Sequence, residues 1–120
     1  MLIDGTNEAI SNHKKKFKIN INYVPGVFEI PYAISKNIKK YDAFIALGCV
    51  IKGETPHFDF ISKSTIDAIM KLSIESKKPI GNGILTCLNK DQAIERADKS
   101  NKNKGKEAAN AAIELLIGDN

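Results

Sequence analysis

The sequence predicts one α/β domain, a three-layer α/β/α sandwich built on a parallel sheet, and three observations carry that expectation. Stretches with strand patterning alternate along the chain with stretches of helical period. Two apolar runs, Ala43 to Ile51 and Ile80 to Cys87, are continuous rather than alternating, as befits strands covered on both faces. A length of 120 residues with 42% hydrophobic content supports a single core. The domain is expected to span residues 1–120, without an internal linker, repeat or low-complexity segment.

The first element reads as a short helix with Ile3, Thr6, Ile10 and His13 at helical spacing. It ends in the Lys14-Lys15-Lys16 run, whose charge suits a helix C-terminus. FKININYV then alternates strictly: Phe17, Ile19, Ile21 and Tyr23 face one way, Lys18, Asn20 and Asn22 the other. That pattern predicts a strand with one buried face, near a sheet edge. Pro25-Gly26 turns the chain, and a helix starts at Glu29 with Pro31 in its first turn and Ile30, Ile34 and Ile38 on one side.

The strand Ala43 to Ile51 gives way to a Gly-Glu-Thr-Pro turn. A long helix follows, carrying Phe58, Ile61, Thr65, Ile69 and Leu72 and closed by Lys77-Lys78-Pro79. After the strand Ile80 to Cys87, Asn89 and Gln92 resemble a capping box opening a helix with Ala93, Ile94, Arg96 and Ala97. The last helix sets Ala108, Ala112, Leu115 and Leu116 on one face and stops at Gly118. Three strands make a thin sheet for such a sandwich.

Composition narrows the function classes. No run of about 18 apolar residues could span a bilayer, and the start, MLIDGTNEAI, lacks the basic and apolar regions of a signal peptide. The expectation is a soluble protein of the cytoplasm, with no membrane partner. Cys49 and Cys87 lie far apart in sequence, outside any CxxC or metal-type cluster, and read as reduced core thiols; no metal is expected. The net charge of +4 is modest and its lysines are dispersed without interleaved aromatics, which argues against nucleic acid and fits a solvated surface or an anionic small molecule.

Ligands of open parallel sheets bind outside the carboxyl ends of the strands, so the residues following each strand are the candidates. They are Val27, Phe28 and Glu29 after the first, Gly53, Glu54, Thr55 and His57 after the second, and Thr86 with its neighbours after the third. The glycines flanking Asn82 leave room for a close approach to the backbone. In the second loop, Gly53 permits a sharp turn, Pro56 pre-sets a helix, and the free N–H groups of that helix start favour an anion such as phosphate. His57 stands at its mouth, able to take and give a proton near neutral pH.

Ordinary readings compete. A histidine at a helix start is most often a surface or capping residue, and Arg96 could pair with Glu95 or Asp91 instead of clamping a phosphate. Glu29 is favourable at a helix start through the dipole alone, and Lys104 would by default be a solvated turn residue.

Five ordered motifs go further than any single residue. VPGVFEIP (24–31), ALGCVIKGETPHFDF (46–60), NGILT (82–86), QAIERA (92–97) and NKGKEAANAAIELL (103–116) together resemble the lumazine synthase family, over nearly the whole chain. The resemblance implies a flavodoxin-like sheet. It also implies condensation of 5-amino-6-(D-ribitylamino)uracil with 3,4-dihydroxy-2-butanone 4-phosphate, the penultimate step of riboflavin synthesis, without a cofactor. Carried over by motif, Val27, Phe28 and Glu29 would hold the ribityl chain and pyrimidine, and Cys49, Val50 and Ile51 would line the pyrimidine pocket. Glu54 and Thr55 would bind the phosphate, with His57 as proton shuttle. From a neighbouring subunit Asn82 would approach the pyrimidine, while Arg96 and Lys104 would meet the phosphate. Homopentamers, or assemblies of them, with sites between subunits are implied, and riboflavin synthase is the expected protein partner.

The pattern is not complete. The family's first strand, ending in an aromatic residue that stacks on the pyrimidine, would precede the helix that begins near Leu2, and it is missing from this chain. Asn82 stands where several members carry an aromatic ring, and the DKSNKNKG stretch is less glycine-rich than usual. These departures motivate an alternative expectation, a non-catalytic ligand-binding or shell-forming homologue. A phospho-receiver domain is excluded, because its acceptor Asp is replaced by Gly48-Cys49.

Overall fold

The computed structural model describes residues 2–53, 57–98 and 103–118. Its elements are α1 (Leu2–Ser11), a single 3-10 turn (Val27–Glu29), α2 (Ile30–Lys36), β1 (Phe44–Ile51), α3 (His57–Ser76), β2 (Ile80–Cys87), α4 (Lys90–Ala97) and α5 (Lys104–Ile117). β1 and β2 pair in parallel, as expected of strands joined through a helix. Helices cover both faces, so the α/β/α layering stands. None of the described helices is long and apolar enough to cross a membrane.

Side-chain alternation along the strands sorts the core into layers. Ala46 and Ile84 face α2 and α3, where they pack with Ile30, Ile34 and Ile69. On the opposite face Ile45 joins Ala9 and Ile10 of α1 and Ala109 and Ile113 of α5. Leu85 and Cys87 meet Ala93 and Ala97 of α4 and Leu2 of α1. With only 7 residues, α2 is too short to hold in water by its own hydrogen bonds. Burying Ile30 and Ile34, at about 1.5–3 kcal/mol each, is what keeps it helical. It ends at Lys36, two residues before the expected Ile38, where Asn37 turns its amide back onto the Ala33 carbonyl at 2.8 Å. Lys78 then secures the following turn by donating to the carbonyls of Ile38 and Tyr41.

Three expectations need correction. FKININYV forms no strand: Phe17 and Val24, at its ends, pack on the core, while Ile19, Ile21 and Tyr23 are exposed. A strand exists only through a hydrogen-bonded neighbour, and among the described residues this segment has none, so the sheet has two strands rather than three. Cys49 is exposed and is no core residue, whereas Cys87 is fully buried; both are free thiols. The capping box is also shifted. Asn89 Oδ1 accepts from the Gln92 N–H as expected, but Gln92 Oε1 accepts from Leu88 rather than from Asn89.

The glycines around Asn82 admit protein, not ligand. A Cβ on Gly81 would overlap the Ala108 carbonyl, and one on Gly83 would crowd Leu47 and Ala108. Both absences let α5 lie directly on β2. A second close approach joins α1 to α5 through Asn103, which is 5% exposed. Its Oδ1 caps α5 at Lys106 N (2.9 Å), and its Nδ2 donates to Ala97 O (2.8 Å). Side chains at Gly5 or Gly105 would collide with this amide or with Leu2 O.

Gly81→Ala should therefore destabilise the fold by about 1–3 kcal/mol, since the backbone of α5 cannot step aside cheaply. Gly53→Ala, facing open space, should stay within about 0.5 kcal/mol of the parent. Urea unfolding midpoints read both, and equal stabilities for the two variants would contradict the close packing.

Candidate active site

The pairing of β1 with β2 runs from Phe44 opposite Ile80 to Ile51 opposite Cys87, so both strands end at one level. Lys52 extends the ladder by donating to Cys87 O at 2.8 Å. The Val27–Glu29 turn is seated beside that level, in contact with both β1 and α3. Gly48 makes the approach possible, because a Cβ there would come within 2.7 Å of Val27 Cγ2. Glu29 is half-buried at the entry to α2, yet its side chain makes no capping bond, which leaves the carboxylate for another acceptor role. Phe28 is 60% exposed beside it, and Ile51 is 44% exposed at the strand end. Val50 between them is half-buried.

His57 is the first residue of α3 and is exposed. It follows the end of β1 and so stands at the same edge of the sheet as Val27–Glu29. The backbone N–H groups of the first turn of α3 lie beside it, where the helix dipole favours an anion. Glu54 and Thr55, expected to bind phosphate, lie outside the described residues.

Arg96 is the one arginine in the chain. It occupies the last turn of α4, and its Nη1 donates to Thr86 O at 3.4 Å and to Cys87 Sγ at 3.7 Å. The expected alternative, a pair with Glu95 or Asp91, is thus not what positions the guanidinium; the end of β2 is. Two further candidates lie elsewhere. Asn82 is exposed at the third position of β2, well before the strand end, and its Oδ1 accepts from Ile84 N at 3.0 Å. Lys104 begins α5 and pairs with Glu107 Oε1 at 3.5 Å. Within one chain, then, the strand ends gather Val27, Phe28, Glu29, Cys49, Val50, Ile51, His57 and Arg96, but neither Asn82 nor Lys104.

Cys87 was not legible as a site residue. Only the pairing of the strands shows that it neighbours Cys49 and that Arg96 rests on it. Cys49 is exposed as a residue, yet its thiol is partly desolvated. Burial, followed by the influence of Cys87 and a hydrogen bond with it, pushes the Cys49 thiol up from its ordinary range. The raised value favours the thiol over the thiolate at neutral pH, and only the thiolate attacks.

Cys49 should accordingly alkylate with iodoacetamide several-fold more slowly than a free cysteine at pH 8. Its rate should keep climbing at pH values where the free thiol has levelled off. Peptide mass spectrometry over time measures this, and a rate equal to that of free cysteine would rule out the desolvation.

Among the described residues the arrangement is an open shelf at the end of the sheet. An imidazole, a carboxylate and a helix start lie along it, which suits proton exchange beside a bound anion, while the Arg96 guanidinium rests on the end of β2. Among the described residues, two shallow surface depressions lie away from it, one on α1 beside Asp4, Asn7, Glu8 and Ser11, the other on α3 beside Met70 and Ile74.

The sequence model of the 6,7-dimethyl-8-ribityllumazine synthase family matches residues 1–117. Proteins named 6,7-dimethyl-8-ribityllumazine synthase from Campylobacter jejuni strain 81-176, from C. jejuni subsp. doylei and from strain RM1221 are each 42% identical to the chain over 118 residues. Each match covers 96% of this chain and 77% of the relative. With a match that contains both strand ends and every helix described above, this chain belongs to the 6,7-dimethyl-8-ribityllumazine synthase family.

Proposed function

We propose that the chain forms 6,7-dimethyl-8-ribityllumazine by condensing 5-amino-6-(D-ribitylamino)uracil with 3,4-dihydroxy-2-butanone 4-phosphate, releasing phosphate and water, in the cytoplasm. The observation that carries this reading is the family match across residues 1–117, joined to the clustering of its motif residues at the ends of β1 and β2. Glu29 accepts hydrogen bonds from ribityl hydroxyls, with Val27 and Phe28 against the same substrate. Cys49, Val50 and Ile51 line the pyrimidine pocket through backbone groups. Glu54 and Thr55, before α3, hold the phosphate.

The chemistry asks little of covalent catalysis. The 5-amino group adds to the ketone to give an imine, loss of a proton lets phosphate leave, and the ribitylamino nitrogen closes the ring. Each step moves protons around one carbon skeleton, which an imidazole at position 57 can do. Stabilising the departing phosphate falls to the helix start and to a guanidinium. Holding two reactants together supplies much of the remaining acceleration.

Assembly follows from the same reading. A shelf with Phe28 and Ile51 exposed is incomplete as a binding site, and Tyr32 (71% exposed), Phe60 (68%), Met70 (59%) and Ile74 (66%) leave apolar surface on α2 and α3. Subunits packed as a homopentamer, or as assemblies of pentamers, would close the shelf. Asn82, Arg96 and Lys104 would then serve a neighbour's site, and riboflavin synthase would be the enzyme partner.

His57→Ala should slow formation of the lumazine chromophore by about 10- to 1,000-fold, with little change in KM. An unchanged rate removes the proton-shuttle role. Native mass spectrometry should find masses at multiples of five chains; monomer alone, at micromolar concentration, would rule out a shared site. Assembly without any turnover would favour the shell-forming alternative.

A further inference from the structure

We propose that Cys49 and Cys87 form a dithiol that a peroxide closes into an intrachain disulfide across the ends of β1 and β2. Cys49 pairs with Leu85 in the sheet and Cys87 with Ile51, so the two cysteines are diagonal neighbours on one face. Cys49 is exposed, whereas Cys87 is fully buried. Arg96 Nη1 donates to Cys87 Sγ at 3.7 Å, which fixes the orientation of the buried sulfur.

The reaction balances with the peroxide as oxidant. The Cys49 thiol first gives its proton to solvent, and the thiolate attacks one peroxide oxygen; the O–O bond breaks, the departing hydroxide takes up a proton and leaves as water, and a sulfenic acid remains. The Cys87 sulfur then attacks the Cys49 sulfur. The S–O bond breaks, a second water carries away the Cys87 proton, and the S–S bond remains. The two thiols lose two electrons and the peroxide is reduced to two waters.

Position allows the bond only if the strand ends move, and gives that movement an effect. Diagonal neighbours in a sheet have Cα atoms about 7–8 Å apart, while a disulfide needs about 4.4–6.8 Å. Closure must therefore draw the strands together, and Cys87 is the last residue of β2, where the ladder yields most easily. That end carries the shelf. Oxidation would shift Thr86 and the Arg96 guanidinium that rests on its carbonyl.

The test uses the full chain. After treatment with hydrogen peroxide and digestion without reductant, mass spectrometry should detect the Cys49 and Cys87 peptides joined, two hydrogens lighter than their sum. Dithiothreitol should release them, and Cys87→Ser should abolish the link. Independently of any variant, dibromobimane, which fluoresces once it bridges two neighbouring thiols, should light up the untreated protein and fail on the oxidised one. Over-oxidised Cys49 beside a free Cys87 thiol would overturn the proposal, as would a link only between Cys49 residues of separate chains, or no bimane bridge.

Discussion

Parallel pairing of β1 with β2 over all eight residues of each strand decides where everything else can stand. Because the side-chain period of a strand is two, a slip of one residue would turn Gly81 away from α5 and press Asn82 against Ala108. It would also move Cys87 from the layer it shares with Ala97 to the opposite face. The register is thus held by size as well as by apolarity: small residues must face α5, and Ile84 must face α2 and α3. Ending at one level, the two strands deliver the start of α3 and the end of β2 to the same shelf, with Val27–Glu29 admitted beside them by the bare backbone of Gly48.

Chemistry and packing share residues economically at that edge. Thr86 and Cys87 close the sheet and at the same time seat the guanidinium of Arg96. Asn82 satisfies Ile84 N within its own strand, a use that explains an exposed amide in an otherwise apolar segment without reference to substrate. The amide at position 103 is the structural counterpart: buried, with donor and acceptor both satisfied, it ties the end of α4 to the start of α5.

Much of this was legible because helices and buried strands announce themselves by period and composition. The helix His57–Ser76 and the strand Ile80–Cys87 lie where the apolar pattern puts them, and α3 stops at its lysines, with Lys77 adopting the left-handed φ of 59° that ends many helices. What stayed hidden depends on partners distant in sequence. The alternation of FKININYV is real, but alternation cannot say whether a neighbouring strand is present to receive it. Glycines at 81 and 83 signal a close approach and not what approaches; here it is α5. Likewise the site's acid, base and guanidinium candidates were visible one by one, whereas the contact of Arg96 with Cys87 required the fold. The loop residues Glu54 and Thr55 remain known by motif alone.

The union of α1 with α5 has a consequence for how the chain is made. Ala9 and Ile10 are covered by Ala109 and Ile113, about a hundred residues later in the sequence. Synthesis proceeds from the N-terminus, so α1 emerges from the ribosome first among the described elements and waits longest for its lid. β1 adds only Ile45 to this layer, and α3 buries its apolar side in another. Of the described helices, the one made first is completed last, and its apolar stripe stays uncovered until α5 has been made.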